Sequence, residues 1–145
     1  MASNTPSQPL SPPSKPVLVF DGGCALCAAW VDSVRRRKGQ ELECVAYQEA
    51  SVTVRFPGLV REQLEHSVHL IAADGRIHRG AQAVLRTPGG GGAQALLLWL
   101  CERLPGIAHC AESVYRVVAK NRRLLGILFS RRSARRQPQQ AAKLG

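Results

Sequence analysis

The sequence predicts an α/β fold, a small mixed sheet flanked by helices, with an added helical section toward the C-terminal end. Three observations carry that expectation. Four apolar residues, Val17 to Phe20, run straight into the tight turn Asp21-Gly22-Gly23 and then into an amphipathic stretch that ends near Lys38. A second short apolar run, Leu42 to Ala46, follows, and strand, helix, strand in that order implies a parallel pair joined by a right-handed crossover. Ser67 to Ala72 and Arg76 to Arg79 flank Ala73-Asp74-Gly75, and Asp-Gly between two such runs signals an antiparallel hairpin.

Taken in order, Met1 to Pro16 is rich in Ser, Thr and Pro, and a disordered leader is expected over 1–16. The helix after the first strand is expected from about Cys24 to Lys38. Cys27, Trp30, Val31 and Val34 recur at i, i+3, i+4 and i+7, one face of an α-helix. Arg35, Arg36, Arg37 and Lys38 fill its last turn, where positive charge suits the helix dipole. Gly39 stands where a left-handed cap belongs. Pro57-Gly58 breaks residues 48–63 into two short helices. Ala81 to Arg86 reads as another short helix, and residues 87–92 as a flexible connector. Four consecutive glycines there lack the Gly-Lys-Ser/Thr of a phosphate loop. Ala93 to Leu104 forms a helix ended by Pro105-Gly106, and Ala111 to Leu128 a final one. On that last helix Val114, Val117, Val118, Leu124, Leu125 and Leu128 form an apolar stripe expected to pack on the core. Glu112, Arg116, Lys120 and Arg123 form the opposite charged row.

The chain has 145 residues, enough for one domain with a real core, expected over 17–129. No apolar run reaches the length of a membrane span, and no signal-peptide pattern opens the sequence. A cytoplasmic setting is therefore expected, with the five cysteines mostly reduced. The net charge of +10 is unevenly spread: residues 1–115 hold 11 Lys/Arg and all 10 acidic residues, whereas 116–145 hold 9 Lys/Arg and no acid. A basic, disordered tail is expected over 130–145.

The chemistry concentrates in Cys24 and Cys27. Residues three apart on a helix are neighbours, so two thiols at this spacing can approach disulfide distance. Free N–H groups at the helix start stabilise a thiolate on the first cysteine. Cys24 is thus expected to be the exposed nucleophile, and Cys27, one turn in, the buried resolving thiol. A strand, CxxC and helix in sequence is the thioredoxin-type redox arrangement. Asp21, three residues before Cys24, has two readings that the residues leave open. It accepts a proton from Cys27 during exchange, or it bonds nearby N–H groups in an Asx turn or helix cap. Zinc knuckles pair two tight Cys-x-x-Cys units, but Cys101 and Cys110 are separated by eight residues, so no metal site is expected. His66, His69, His78 and His109 show no metal-ligand spacing. Cys44 reads as a small core residue.

FDGGCALCAAWV resembles the signature of the DCC family, named for its D-x-x-C-x-x-C pattern. The resemblance continues in ADGRIHRGAQAVLR, in the region ending ERLPG and in SVYRVVAKNRRLLG, covering about Val17 to Leu128. It implies a thioredoxin-like fold and thiol–disulfide oxidoreductase activity, with Asp21, Cys24 and Cys27 as the functional residues. At Gly80-Ala81-Gln82-Ala83 the sequence departs from relatives, which commonly carry Ser and Asp at the two middle positions. Thioredoxins also place a cis-proline opposite the CxxC; here His66-Ser67 stands near that place. A protein-disulfide reductase that cycles its cysteines without an organic cofactor is therefore expected. Its partners are a disulfide-containing protein or small molecule, and an electron donor that the sequence does not specify. The alternative is a binding module whose basic C-terminal helix and tail contact anionic membrane or nucleic acid.

Overall fold

The structure is a computed structural model that describes residues 11–89 and 91–128. Most of the expected leader and the whole of the expected tail lie outside the described residues. The sheet is built around β1 (Val17–Phe20), whose four residues are all buried. Successive side chains on a strand point to opposite faces, and β1 divides accordingly. Val17 and Val19 enter one core cluster with Val52, Phe56, Leu59, Leu64 and Ile71. Leu18 and Phe20 enter the other with Val31, Val34, Leu42, Leu70 and Ala83. Each such side chain contributes about 1.5–3 kcal/mol by leaving water, so a strand buried on both faces is the natural centre.

The sheet order is β2-β1-β3-β4. β2 (Glu43–Ala46) runs parallel to β1, with Val17 opposite Glu43. β3 (His69–Ile71) runs antiparallel on the other side of β1, and β4 (Ile77–Arg79) pairs antiparallel with β3 as the Asp-Gly turn predicts. Helix α1 (Ala25–Lys38) covers the Leu18/Phe20 face through Val31 and Val34. Helices α2 (Ala50–Arg55) and α3 (Arg61–His66) cover the Val17/Val19 face. The left-handed cap expected at Gly39 does not form. Its φ is −61°, because the chain keeps turning right-handed and both Glu41 and Leu42 donate to the Lys38 carbonyl.

Helix α4 (Gly80–Arg86) starts on Gly80 at φ +56°, a conformation that favours glycine. Then follow α5 (Gly91–Arg103), α6 (Pro105–Lys120) and a short α7 over 122–128. Three expectations fail here. The single helix expected from Ala111 to Leu128 is broken at Asn121, where α6 ends before α7 begins. Pro105 does not merely end α5; it sits in the first turn of α6, where its missing N–H costs nothing, so α6 begins six residues early. The stripe expected to pack on the core is largely exposed: Val114, Val117, Leu124 and Leu128 are 60–64% exposed, and α6 has no buried residue. Two polar contacts turn the helix. The Tyr115 hydroxyl accepts from the Val68 N–H at 2.9 Å, and Glu112 Oε2 accepts from the Ala81 N–H at 3.2 Å. Glu112 thus reaches α4 through Oε2 while Oε1 keeps its pair with Arg116 at 3.3 Å, and the valines swing outwards.

A four-stranded mixed sheet with helices on both faces and a helical C-terminal section is a thioredoxin-like α/β fold. Among the described residues no helix is long and apolar enough to cross a membrane.

One buried group makes stability depend on pH. His69 has no exposed surface. Its Nδ1–H donates to the Ser67 carbonyl at 3.0 Å, and its Nε2 has no partner. Burial pushes its pKa from 6.5 down to about 4. The unfolded chain then binds a proton that the folded chain refuses across that window, so stability is lost as pH falls through it. The expected loss is about 3 kcal/mol, read as a lower urea midpoint at about pH 4 than at about pH 7. His69→Leu should flatten that part of the profile.

Candidate active site

The site begins where β1 stops. Cys24 N–H donates to the Asp21 carbonyl at 3.2 Å, closing the turn. Asp21 Oδ1 accepts from the Gly23 N–H at 2.9 Å, which is the Asx contact, and from Gln48 Nε2 at 2.8 Å. Gln48 Oε1 in turn accepts from the Gly22 N–H at 3.1 Å. One side-chain amide, carried on the chain after β2, thus clamps the turn from both ends. Glycine suits this approach, since a Cβ at Gly22 would crowd the Ala46 Cβ at 3.0 Å and Gln48 Oε1 at 3.2 Å.

Cys24 is the N-cap of α1, in extended conformation at φ −95° and ψ 110°. Its Sγ accepts from the Cys27 N–H at 3.3 Å, one of the free donors of the helix start. The Cys27 thiol is also hydrogen-bonded to Cys24. The two cysteines are not joined in a disulfide. The Cys27 pKa is pushed up to about 12, first by burial, then by the hydrogen bond to Cys24, the charge on Cys24 and that of Asp21; Arg122 opposes. Cys27 is therefore held protonated, and its N–H and thiol both direct hydrogen bonds at the sulfur of Cys24.

The expected exposures are corrected. Cys24 is only 8% exposed, and it is Cys27 that is half-buried and lines an open groove. The cause is the cap, which folds Cys24 Sγ back over the helix start, together with α7. Arg122 Nη2 pairs with Asp21 Oδ2 at 3.3 Å and donates to the Glu65 carbonyl at 2.6 Å. Gly126 is buried, and a Cβ there would stand 3.5 Å from that of Ala25. α7 thus lies against Asp21 before Cys24 and Ala25 after it.

The groove has a volume of about 620 Å³. Leu26, Cys27 and Trp30 of α1 form one wall, Ile107, Val114 and Val118 of α6 the other, and Val84, Leu85 and Leu97 lie between. Asp21, Ser67, Tyr115 and Arg122 supply polar atoms. Of the pair near the thioredoxin cis-proline place, Ser67 reaches the groove and donates to the Gln63 carbonyl at 3.1 Å, while His66 is exposed elsewhere. No cis peptide bond occurs among the described residues. Cys44 is half-buried beside the second core cluster, Cys101 is buried, and Cys110 is an exposed thiol on the groove. No group of three or more His, Cys, Asp or Glu is gathered as for a metal among the described residues.

Sequence reasoning found Asp21, Cys24 and Cys27, which the fold brings together, and missed Gln48, Tyr115 and Arg122. Tyr115 and Arg122 lie inside SVYRVVAKNRRLLG, so the signal was present as a motif without a role. Gln48 had no signal, because only the register of β2 against β1 sets it over the turn. Asp21→Ala removes the contacts to Gly23, Gln48 and Arg122 at once, and α7 should then loosen. Limited trypsin digestion should cut after Arg122 and Arg123 several-fold faster than in the unaltered protein; unchanged cutting would mean that α7 is held elsewhere.

Residues 18–127 match the model of the DCC1-like thiol-disulfide oxidoreductase family. No curated protein and no solved structure matches the chain. The turn from β1, the capped CxxC and the match across most of the chain agree, and the protein belongs to the DCC1-like thiol-disulfide oxidoreductase family.

Proposed function

We propose that the protein is a protein-disulfide reductase in which Cys24 is the nucleophile, Cys27 the resolving thiol and Asp21 the proton acceptor. The observation that carries this reading is the asymmetry of the two sulfurs. Cys24 Sγ receives hydrogen bonds from Cys27, whereas Cys27 is held protonated. The Cys24 thiolate attacks a substrate disulfide, forms a mixed disulfide and releases one substrate thiolate. Capping Cys24 in this way removes its negative charge and its hold on the Cys27 proton, two of the causes that raise Cys27. The Cys27 proton then passes to Asp21, the sole carboxylate among the described residues that line the groove. Cys27 attacks Cys24 Sγ, the second substrate thiolate leaves with a proton, and two electrons have moved from the dithiol to the substrate. An external dithiol restores the pair.

The apolar groove favours a protein substrate, since it can take apolar residues flanking a disulfide. The substrate reaches Cys24 when α7 yields, which the exchangeable Arg122–Asp21 pair permits. The reductase direction suits a thiol-reducing compartment such as the cytoplasm. Turnover of a disulfide-bonded protein, driven by a dithiol donor, tests the reading. Cys24→Ser should lower it by about a hundredfold or more, and Cys27→Ser should accumulate a mixed disulfide on Cys24. Asp21→Asn should slow the resolution step. Full turnover by Cys24→Ser would reject the mechanism.

A further inference from the structure

We propose that the outer face of the C-terminal helical layer docks on an anionic membrane surface. Among the described residues, ten of the twelve exposed large apolar side chains fall in residues 96–128. Leu97, Val114 and Val118 line the groove beside Cys27. The other seven, among them Trp99, Val117, Leu124, Ile127 and Leu128, lie outside it and are 50–64% exposed. Leu124, Ile127 and Leu128 stand at i, i+3 and i+4, so they form one face of α7. A monomer in water rarely leaves so much apolar surface uncovered. In the given sequence the large apolar side chains outside the described residues are Met1, Leu10, Phe129 and Leu144.

Charge decides the occupant. Residues 116–145 carry nine Lys/Arg and no acid, and Arg131, Arg132, Arg135 and Arg136 come soon after α7 in the sequence. Arg123 lies one helical turn before Ile127, and Lys120 one turn after Val117, so each helix carries a cation beside its exposed apolar residues. Arg103 stacks over the exposed Trp99 ring at 5.5 Å, a pairing of aromatic and cation suited to the headgroup level. Nucleic acid would satisfy the arginines but offers nothing to Leu124, Ile127 and Leu128. An anionic bilayer takes both, with aliphatic groups at the acyl boundary and Lys/Arg among the headgroups. The inference does not depend on the redox reading.

The test is co-sedimentation of the full chain with phosphatidylserine/phosphatidylcholine vesicles and with pure phosphatidylcholine vesicles. Binding should be strong to the first and weak to the second. Val117→Ser, Leu124→Ser and Ile127→Ser combined should weaken the first by about tenfold or more. All three positions are exposed, so far-UV circular dichroism should stay unchanged. No binding to the anionic vesicles overturns the proposal. So does binding that the triple substitution leaves intact, or that a DNA duplex reproduces equally, since either reports charge alone. A dimer that dissociates in the triple variant without any vesicle binding would assign the face to a second copy and also overturn it.

Discussion

Asp21 uses both carboxylate oxygens to join segments far apart in sequence: the turn after β1, Gln48 after β2, and Arg122 at the start of α7. The CxxC pair sits within that junction. Its Arg122 pair is more sheltered than a surface ion pair, with side chains 24% and 14% exposed, and it is reinforced by the bond from Arg122 to the Glu65 carbonyl. Exposed pairs contribute little, but one tied into a hydrogen-bond network holds a defined geometry. The arrangement also gives one carboxylate two consequences. It orders the turn that places Cys24 at the helix cap, and its charge helps keep the proton on Cys27. The turn role and the proposed proton-transfer role, alternatives in sequence, are compatible in space.

The C-terminal layer follows from two hydrogen bonds made by α6. Tyr115 occupies the Val68 N–H and Glu112 the Ala81 N–H. Both donors would otherwise lack a partner at a strand start and a helix start, and an unpaired buried donor costs about 1–3 kcal/mol. Satisfying them fixes the rotation of α6, leaves its valines facing away from the core and opens the apolar groove beside Cys27. The cost of that exposure is consistent with a surface meant to be covered by something else.

Much of the fold was legible because its signals are local. The β1 run, the Asp-Gly turn and the 24–38 periodicity each specify their own element, and the strands pair as the crossover and hairpin rules require. The site was legible as far as Asp21, Cys24 and Cys27, which lie within seven residues of one another. What failed needed three dimensions. The stripe on α6 has the same spacing whether it faces a core or a groove, and only Tyr115 and Glu112, finding partners on other elements, decide between them. The exposure of Cys24 was misjudged because α7 comes from the far end of the domain. Gln48 has no sequence mark at all.

The central claim is that Cys24, although nearly buried, is the reactive sulfur because Cys27 donates to it. Site-resolved alkylation of the fully reduced protein, followed by mass mapping over a range of pH, tests this most directly. Exposure alone would put Cys110 and Cys27 ahead of Cys24. Cys24 should be labelled before the other thiols, and Cys27 should lag by about tenfold or more until Cys24 is blocked. Labelling that follows exposure, with Cys110 and Cys27 first at every pH, would contradict it.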